Sequence, residues 1–119
     1  MKYMLLIHQG DTPTPRDRDA WGRLSEDEQQ AVYADYQAIN ENPGVSPGVQ
    51  LADPDTATTV RVKDGKTLTT DGPFVELKEA IGGFLFLEAD NLDAAIELAS
   101  RIPAARMGGA IEVRPVVER

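Results

Sequence analysis

The stretch "GGFLFLEADNLDAAIELASRI", residues 82–102, holds a strand, a helix cap and a helix in direct succession. Residues 82–89 are apolar at successive positions, so neither face is left for water and the segment reads as a central strand. Asp90 or Asn91 supplies the side-chain oxygen that a helix N-terminus needs. "LDAAIELASRI" (92–102) follows, with Leu92, Ala95, Ile96 and Ala99 on one stripe. Pro103 has no backbone N–H to give to a further turn, so the helix stops before it.

The same strand-then-helix pattern opens the chain. "KYMLLIH" (2–8) is a short continuous apolar run and reads as a strand buried on both faces. "QGDTPTPRDRD" (9–19), with its prolines and charges, reads as an exposed loop. Ser25 and Glu28 form a capping-box pattern at the head of "SEDEQQAVYADYQAINEN" (25–42), and Val32, Tyr36 and Ile39 mark that helix's buried stripe. "NPGVSPG" (42–48) ends it.

Between the two halves, "VQLADPD" (49–55) is expected as a short edge strand closed by Pro54. "ATTVRVK" (57–63) alternates side chains across two faces, and "KTLTT" (66–70) returns as its partner. Asp64-Gly65 between them is a strong hairpin signal, because a type I′ turn needs positive φ at both central residues. "AIEVRPVV" (110–117) is the final strand, with Pro115 placing it partly at an edge. The resulting order, β-α-β-β(-β)-α-β, predicts an α+β fold: a ferredoxin-like βαββαβ sandwich with an extra hairpin. Helices on one face leave the other face of the sheet uncovered, and a homodimer that buries sheet against sheet is the economical solution.

A length of 119 residues fits one domain spanning the whole chain. With 41% apolar and 27% charged residues, the composition is that of a soluble globular protein. The net charge of −8 repels phosphate and argues against nucleic acid as a partner, although Arg61, Arg106 or Arg114 could hold one small anion locally. The absence of cysteine removes disulfides and thiolate catalysis, and fits a reducing cytoplasm. No apolar run reaches the roughly 20 residues that span a membrane. One histidine and no cysteine leave only carboxylates as strong metal ligands, so neither a metal nor a cofactor is expected. Phosphate-binding and nucleophile-elbow motifs are absent.

The candidate chemistry lies at two places. His8, the only histidine, ends the first strand, where it is either an acid/base group or a half-buried residue with a satisfied hydrogen bond. "TTDGPFVELKEAIGG" (69–83) carries the rest. Asp71-Gly72-Pro73 makes a good turn unaided, yet a carboxylate at a strand end can also orient an imidazole on a neighbouring strand. Glu76, Lys78 and Glu79 form a charge cluster, which is most often plain solvated surface. Gly82-Gly83 is explained by a bulge at the start of the central strand or by a close backbone approach.

"MKYMLLIH", "TATTVR", "TDGPFVELKEAIGGFLFLEADNLDAAIELASRIPAAR" and "IEVRPV" together resemble the YCII-related family, in the branch marked by a DGPF motif. The motif stands here as Asp71, Gly72, Pro73 and Phe74, with Glu76, Lys78 and Glu79 after it. The resemblance implies a ferredoxin-like dimeric α/β barrel. It sets Asp71 at the acidic position of a catalytic pair, with His8 a loose candidate for the base, in a cleft where Phe74, Glu76, Lys78 and Glu79 would contact substrate. Better-known relatives in the wider family use a His–Asp pair, one of them as a dehydrochlorinase of a chlorinated hydroquinone, and some members accompany sigma factors. This chain departs from the pattern twice: it has no histidine in its first helix, and Leu77 stands where the branch usually has Thr or Ser. The expectation is therefore a cytoplasmic homodimer that binds a small organic molecule, with acid/base chemistry of the elimination or isomerisation type. The rival is a non-catalytic ligand- or partner-binding module linked to transcriptional regulation.

Overall fold

A computed structural model describes residues 1–15, 17–46, 48–53, 56–72 and 81–118 of the chain. Phe74, Glu76, Lys78 and Glu79 fall outside the described residues. The fold is a mixed α+β arrangement built on antiparallel sheets. In chain order the elements are β1 (Lys2–His8), α1 (Arg18–Gly22), α2 (Glu26–Glu41), β2 (Val49–Gln50), β3 (Thr58–Lys63), β4 (Lys66–Asp71), β5 (Ile81–Glu88), α3 (Leu92–Ser100) and β6 (Ala110–Pro115). A single 3₁₀ turn, Pro103–Ala105, leads from α3 towards β6.

Four strands form one sheet in the order β2-β5-β1-β6, so β5 and β1 are central. Leu5 stands opposite Leu85 on one side and Val113 on the other, which fixes the faces. Tyr3, Leu5, Ile7, Leu85 and Leu87 point to the helix side and are buried there. Their partners are Ile39 from α2, Ala95, Leu98 and Ala99 from α3, and Ile102 and Ala104 beyond it. Each large aliphatic side chain buried in this layer contributes about 1.5–3 kcal/mol.

Met4, Leu6, Phe84 and Phe86 point the opposite way and are only half buried. The first strand is thus packed on one face, and its second face stays open in the single chain. The two phenylalanine rings meet edge to face at 6.1 Å, and Lys2 Nζ stands 4.9 Å from the Phe86 ring centre.

Most element ends follow from local chemistry. Ser25 Oγ accepts from the Glu28 N–H while Glu28 Oε1 accepts from the Ser25 N–H, the reciprocal pair that starts α2. Asn91 Oδ1 accepts from the Ala94 N–H at the start of α3. Asp64 and Gly65 both have positive φ, +53° and +74°, as the turn joining β3 to β4 requires.

Three details differ from the expectations. Arg18 and Asp19, expected at the end of the 9–19 loop, instead open a short α1, because Asp17 Oδ1 accepts from the Ala20 N–H and caps it. The buried stripe of α3 is Ala95, Leu98 and Ala99; Leu92 and Ile96 are about half exposed. Finally, among the described residues β3 and β4 pair only with each other and form a separate two-stranded sheet. Among the described residues, no helix is long and apolar enough to cross a membrane.

Candidate functional site

A cavity of about 480 Å³ opens on the helix side of the sheet, between the end of β1, the edge at β2 and the helices α1 and α2. That volume lies in the range of small-molecule sites. Trp21, Tyr33 and Tyr36 supply its aromatic wall, and Gln9, Asn40 and Gln50 its polar groups. Among the described residues, its lining holds no aspartate, glutamate, lysine, arginine or histidine.

Each wall residue is placed by a local cause. Gln29 Nε2 donates to the Trp21 carbonyl at 2.9 Å, which ties α1 to α2. The Trp21 ring then meets Tyr33 in a T-shaped contact at 5.6 Å. Tyr36 sits on the buried stripe of α2, and burial pushes its phenol above the ordinary tyrosine value. The Arg106 guanidinium opposes this in part. Arg106 is held by Asp35 at 2.6 Å. The Tyr36 hydroxyl therefore stays neutral across the physiological range and is able to donate a hydrogen bond.

Gly82 and Gly83 have separate jobs. The register passes from Ile7 opposite Gly83 to His8 opposite Ile81, so Gly82 is the extra residue of a β-bulge. A Cβ on Gly82 would run into the Gln9 side chain, and one on Gly83 would stand 2.6 Å from the Val49 carbonyl oxygen. The first glycine leaves room for the Gln9 amide beside the cavity; the second lets the edge strand approach. Both explanations expected from the sequence, a bulge and a close approach, hold here.

Thr12 also lines the cavity, but its hydroxyl is buried away from the open space, beside the Gly109 backbone, with no hydrogen-bond partner among the described residues.

His8 belongs to the other side of the sheet. Its Nε2 lies 3.2 Å from Glu112 Oε1, and Glu112 Oε2 lies 3.6 Å from Arg114 Nε. Asp71 is the exposed last residue of β4, opposite Thr58. Among the described residues, no hydrogen bond or ion pair joins Asp71 to His8. Of the arginines suggested as anion holders, Arg106 is paired with Asp35 and Arg114 with Glu112. The sequence reading passed over Glu112 and the cavity wall. Glu112 becomes visible only once β6 is paired beside β1, and Trp21 only once 18–22 is known to be helical.

The fold and cavity can now be set beside known proteins. A protein of Burkholderia phenoliruptrix, 5-chloro-2-hydroxyhydroquinone dehydrochlorinase in complex with 2,5-dihydroxybenzoquinone, superposes with a TM-score of 0.50 at 16% identity, over 100% of this chain and 96% of that one. At that identity the likeness is one of fold. An uncharacterised protein of Rhizobium meliloti is 31% identical over 121 residues, covering 98% of this chain and 92% of its own. A family model for the YCII-related domain matches residues 1–119. With match and relative both running through almost every element described above, the chain belongs to the YCII-related family.

Proposed function

We propose that this protein binds a small, uncharged, ring-bearing organic molecule in the helix-side cavity. The observation that carries the reading is the aromatic-walled space of about 480 Å³, lined by Trp21, Tyr33 and Tyr36 with no charged side chain among its described residues. The three rings suit the face and edge of a planar ring, while Gln9, Asn40 and Gln50 suit hydroxyl or carbonyl substituents. A neighbour of the same fold that holds a small quinone is consistent with a ligand of this size. We place the chain in the DGPF branch as a ferredoxin-like cytoplasmic protein. Its open sheet face, with Met4, Leu6, Phe84 and Phe86, is covered by a second copy to give a dimeric barrel.

A second reading, acid/base chemistry of the elimination or isomerisation type, is favoured by the His8–Glu112 pair at 3.2 Å. A carboxylate beside an imidazole holds the ring in one orientation and stabilises its charged form. Under this reading His8 is the base, and Asp71 with Phe74, Glu76, Lys78 and Glu79 completes the site.

The chain has one tryptophan, and it lines the cavity, so intrinsic fluorescence reports on the site directly. Titration with hydroquinone should give a saturable change, with benzoate binding more weakly. Tyr36→Phe, which keeps the ring and removes the hydroxyl, should weaken hydroquinone about three- to tenfold, from the loss of about one hydrogen bond. No saturable response in the native chain, or equal affinity in Tyr36→Phe, would exclude the binding reading. The acid/base reading requires His8→Gln to lose deuterium exchange into a bound enolisable ligand while affinity is retained.

A further inference from the structure

Gln9 continues the helix-side series Tyr3, Leu5 and Ile7 one step beyond β1, and three local contacts hold it there. Gly82, the extra residue of the bulge, leaves open the space in which the side chain lies: a Cβ at that position would stand 2.7 Å from Gln9 Nε2 and 3.0 Å from its Cδ. Gly109 makes room for the backbone. A Cβ there would run into the His8 carbonyl oxygen and stand 2.7 Å from that of Gln9. The Gln9 carbonyl in turn accepts from the Thr12 N–H at 2.9 Å. Backbone and side chain are both held, and the residue is half buried.

The Gln9 amide has no hydrogen-bond partner among the described residues. Asn40 and Gln50, the other amides on the cavity, are exposed and have none either. Away from the cavity the pattern reverses. Gln29 donates to the Trp21 carbonyl, Gln37 to the Glu41 carboxylate and Asn42 to the Pro43 carbonyl, while Asn91 caps α3. Among the described amides, only Gln30, exposed on α2, is an exception.

A primary amide is the neutral side-chain group that sets a donor beside an acceptor in one plane. Held in place, it matches the same pair reversed. A ligand N–H next to a C=O takes two parallel hydrogen bonds from it, at little cost in ordering the side chain. A lone hydroxyl takes one bond and leaves the other half of the amide unpaired, which is how a polar site rejects an analogue lacking one group. Charged ligands are disfavoured, because no described lining residue carries a charge to offset their dehydration.

We infer that the ligand of the cavity is a neutral planar ring with a lactam-type edge, an N–H adjacent to a C=O, read by the Gln9 amide. The inference rests on the binding reading given above and narrows its substrate class.

Two isomers isolate the edge. 2-Pyridone carries its N–H beside its C=O, and 4-pyridone carries the same groups on opposite sides of the ring. Each is titrated into the full ¹⁵N-labelled chain and followed by the indole N–H signal of Trp21, which lines the cavity. 2-Pyridone should bind about three- to tenfold more tightly, the worth of one further hydrogen bond. Gln9→Met keeps the length of the side chain without its amide, and should bring the isomers within about twofold of each other. Equal affinities in the native chain would overturn the inference with no variant needed, as would an isomer preference that survives in a folded Gln9→Met. A signal that shifts with hydroquinone but with neither pyridone would remove the lactam edge alone. No shift with any of the three would remove the binding reading and this one together.

Discussion

The Gln9 side chain occupies the space that a Cβ on Gly82 would fill. The bulge in β5 and the polar group at the mouth of the cavity are therefore a single device. Gly82→Ala should cost about 1–3 kcal/mol in urea denaturation, the usual result of overpacking a filled site. Gln9→Ala in the same chain should recover most of that loss, because the two side chains compete for one space. Equal costs of Gly82→Ala with and without Gln9 would mean that the bulge requires glycine for its own backbone.

The Tyr36 phenol is held neutral by burial, with Arg106 opposing. The linkage has a definite sign. A group whose folded pKa is raised above its unfolded value contributes its full stability below that unfolded value, near 10 for tyrosine. The contribution is lost as pH rises through the folded pKa. Native stability should therefore fall between pH 10 and the raised value, and Tyr36→Phe should fall less over the same interval. Hydroquinone affinity should stay flat from pH 6 to 9, while Tyr36→Phe weakens it by about three- to tenfold, the worth of one neutral hydrogen bond. Measured unfolding midpoints at pH 8, 10 and 11 decide the first point, and tryptophan fluorescence the second.

How far the sequence spoke for itself is clearest in α3. Its existence, its Asn91 cap and its stop before Pro103 are local matters, settled by residues a few positions apart. Its buried face is not local. Leu92, Ala95, Ile96 and Ala99 form as good a stripe as Ala95, Leu98, Ala99 and Ile102, and only the seat of the helix in the common core chooses the second. Leu98→Ala should accordingly cost about 2–5 kcal/mol, and Ile96→Ala should stay within about 0.5 kcal/mol of native. Chemical denaturation of the two variants is enough to check it. The same limit hid the candidate site. A capping box or an Asp-Gly turn is written in adjacent residues. Glu112 meets His8 across 104 positions, and no short-range pattern announces that.

Asp71 and Gly72 close the base of the hairpin, and their contributions can be separated. Gly72 has φ +97°, donates its N–H to the Ala57 carbonyl at 2.7 Å, and accepts from the Thr59 hydroxyl at 2.7 Å through its own carbonyl. Gly72→Ala keeps those groups but forces a Cβ into left-handed backbone, at about 1–2 kcal/mol. Asp71 is exposed, and Asp71→Asn preserves size and hydrogen-bonding reach while removing the charge, so stability should change by no more than about 0.5 kcal/mol. If Asp71 is part of a reacting site, Asp71→Asn should lose turnover at an unchanged melting temperature. Gly72→Ala should then lower the melting temperature while the fraction still folded keeps its activity. A large stability loss in Asp71→Asn would instead assign the carboxylate to the turn, and the acid/base reading would then have to stand on His8 and Glu112 alone.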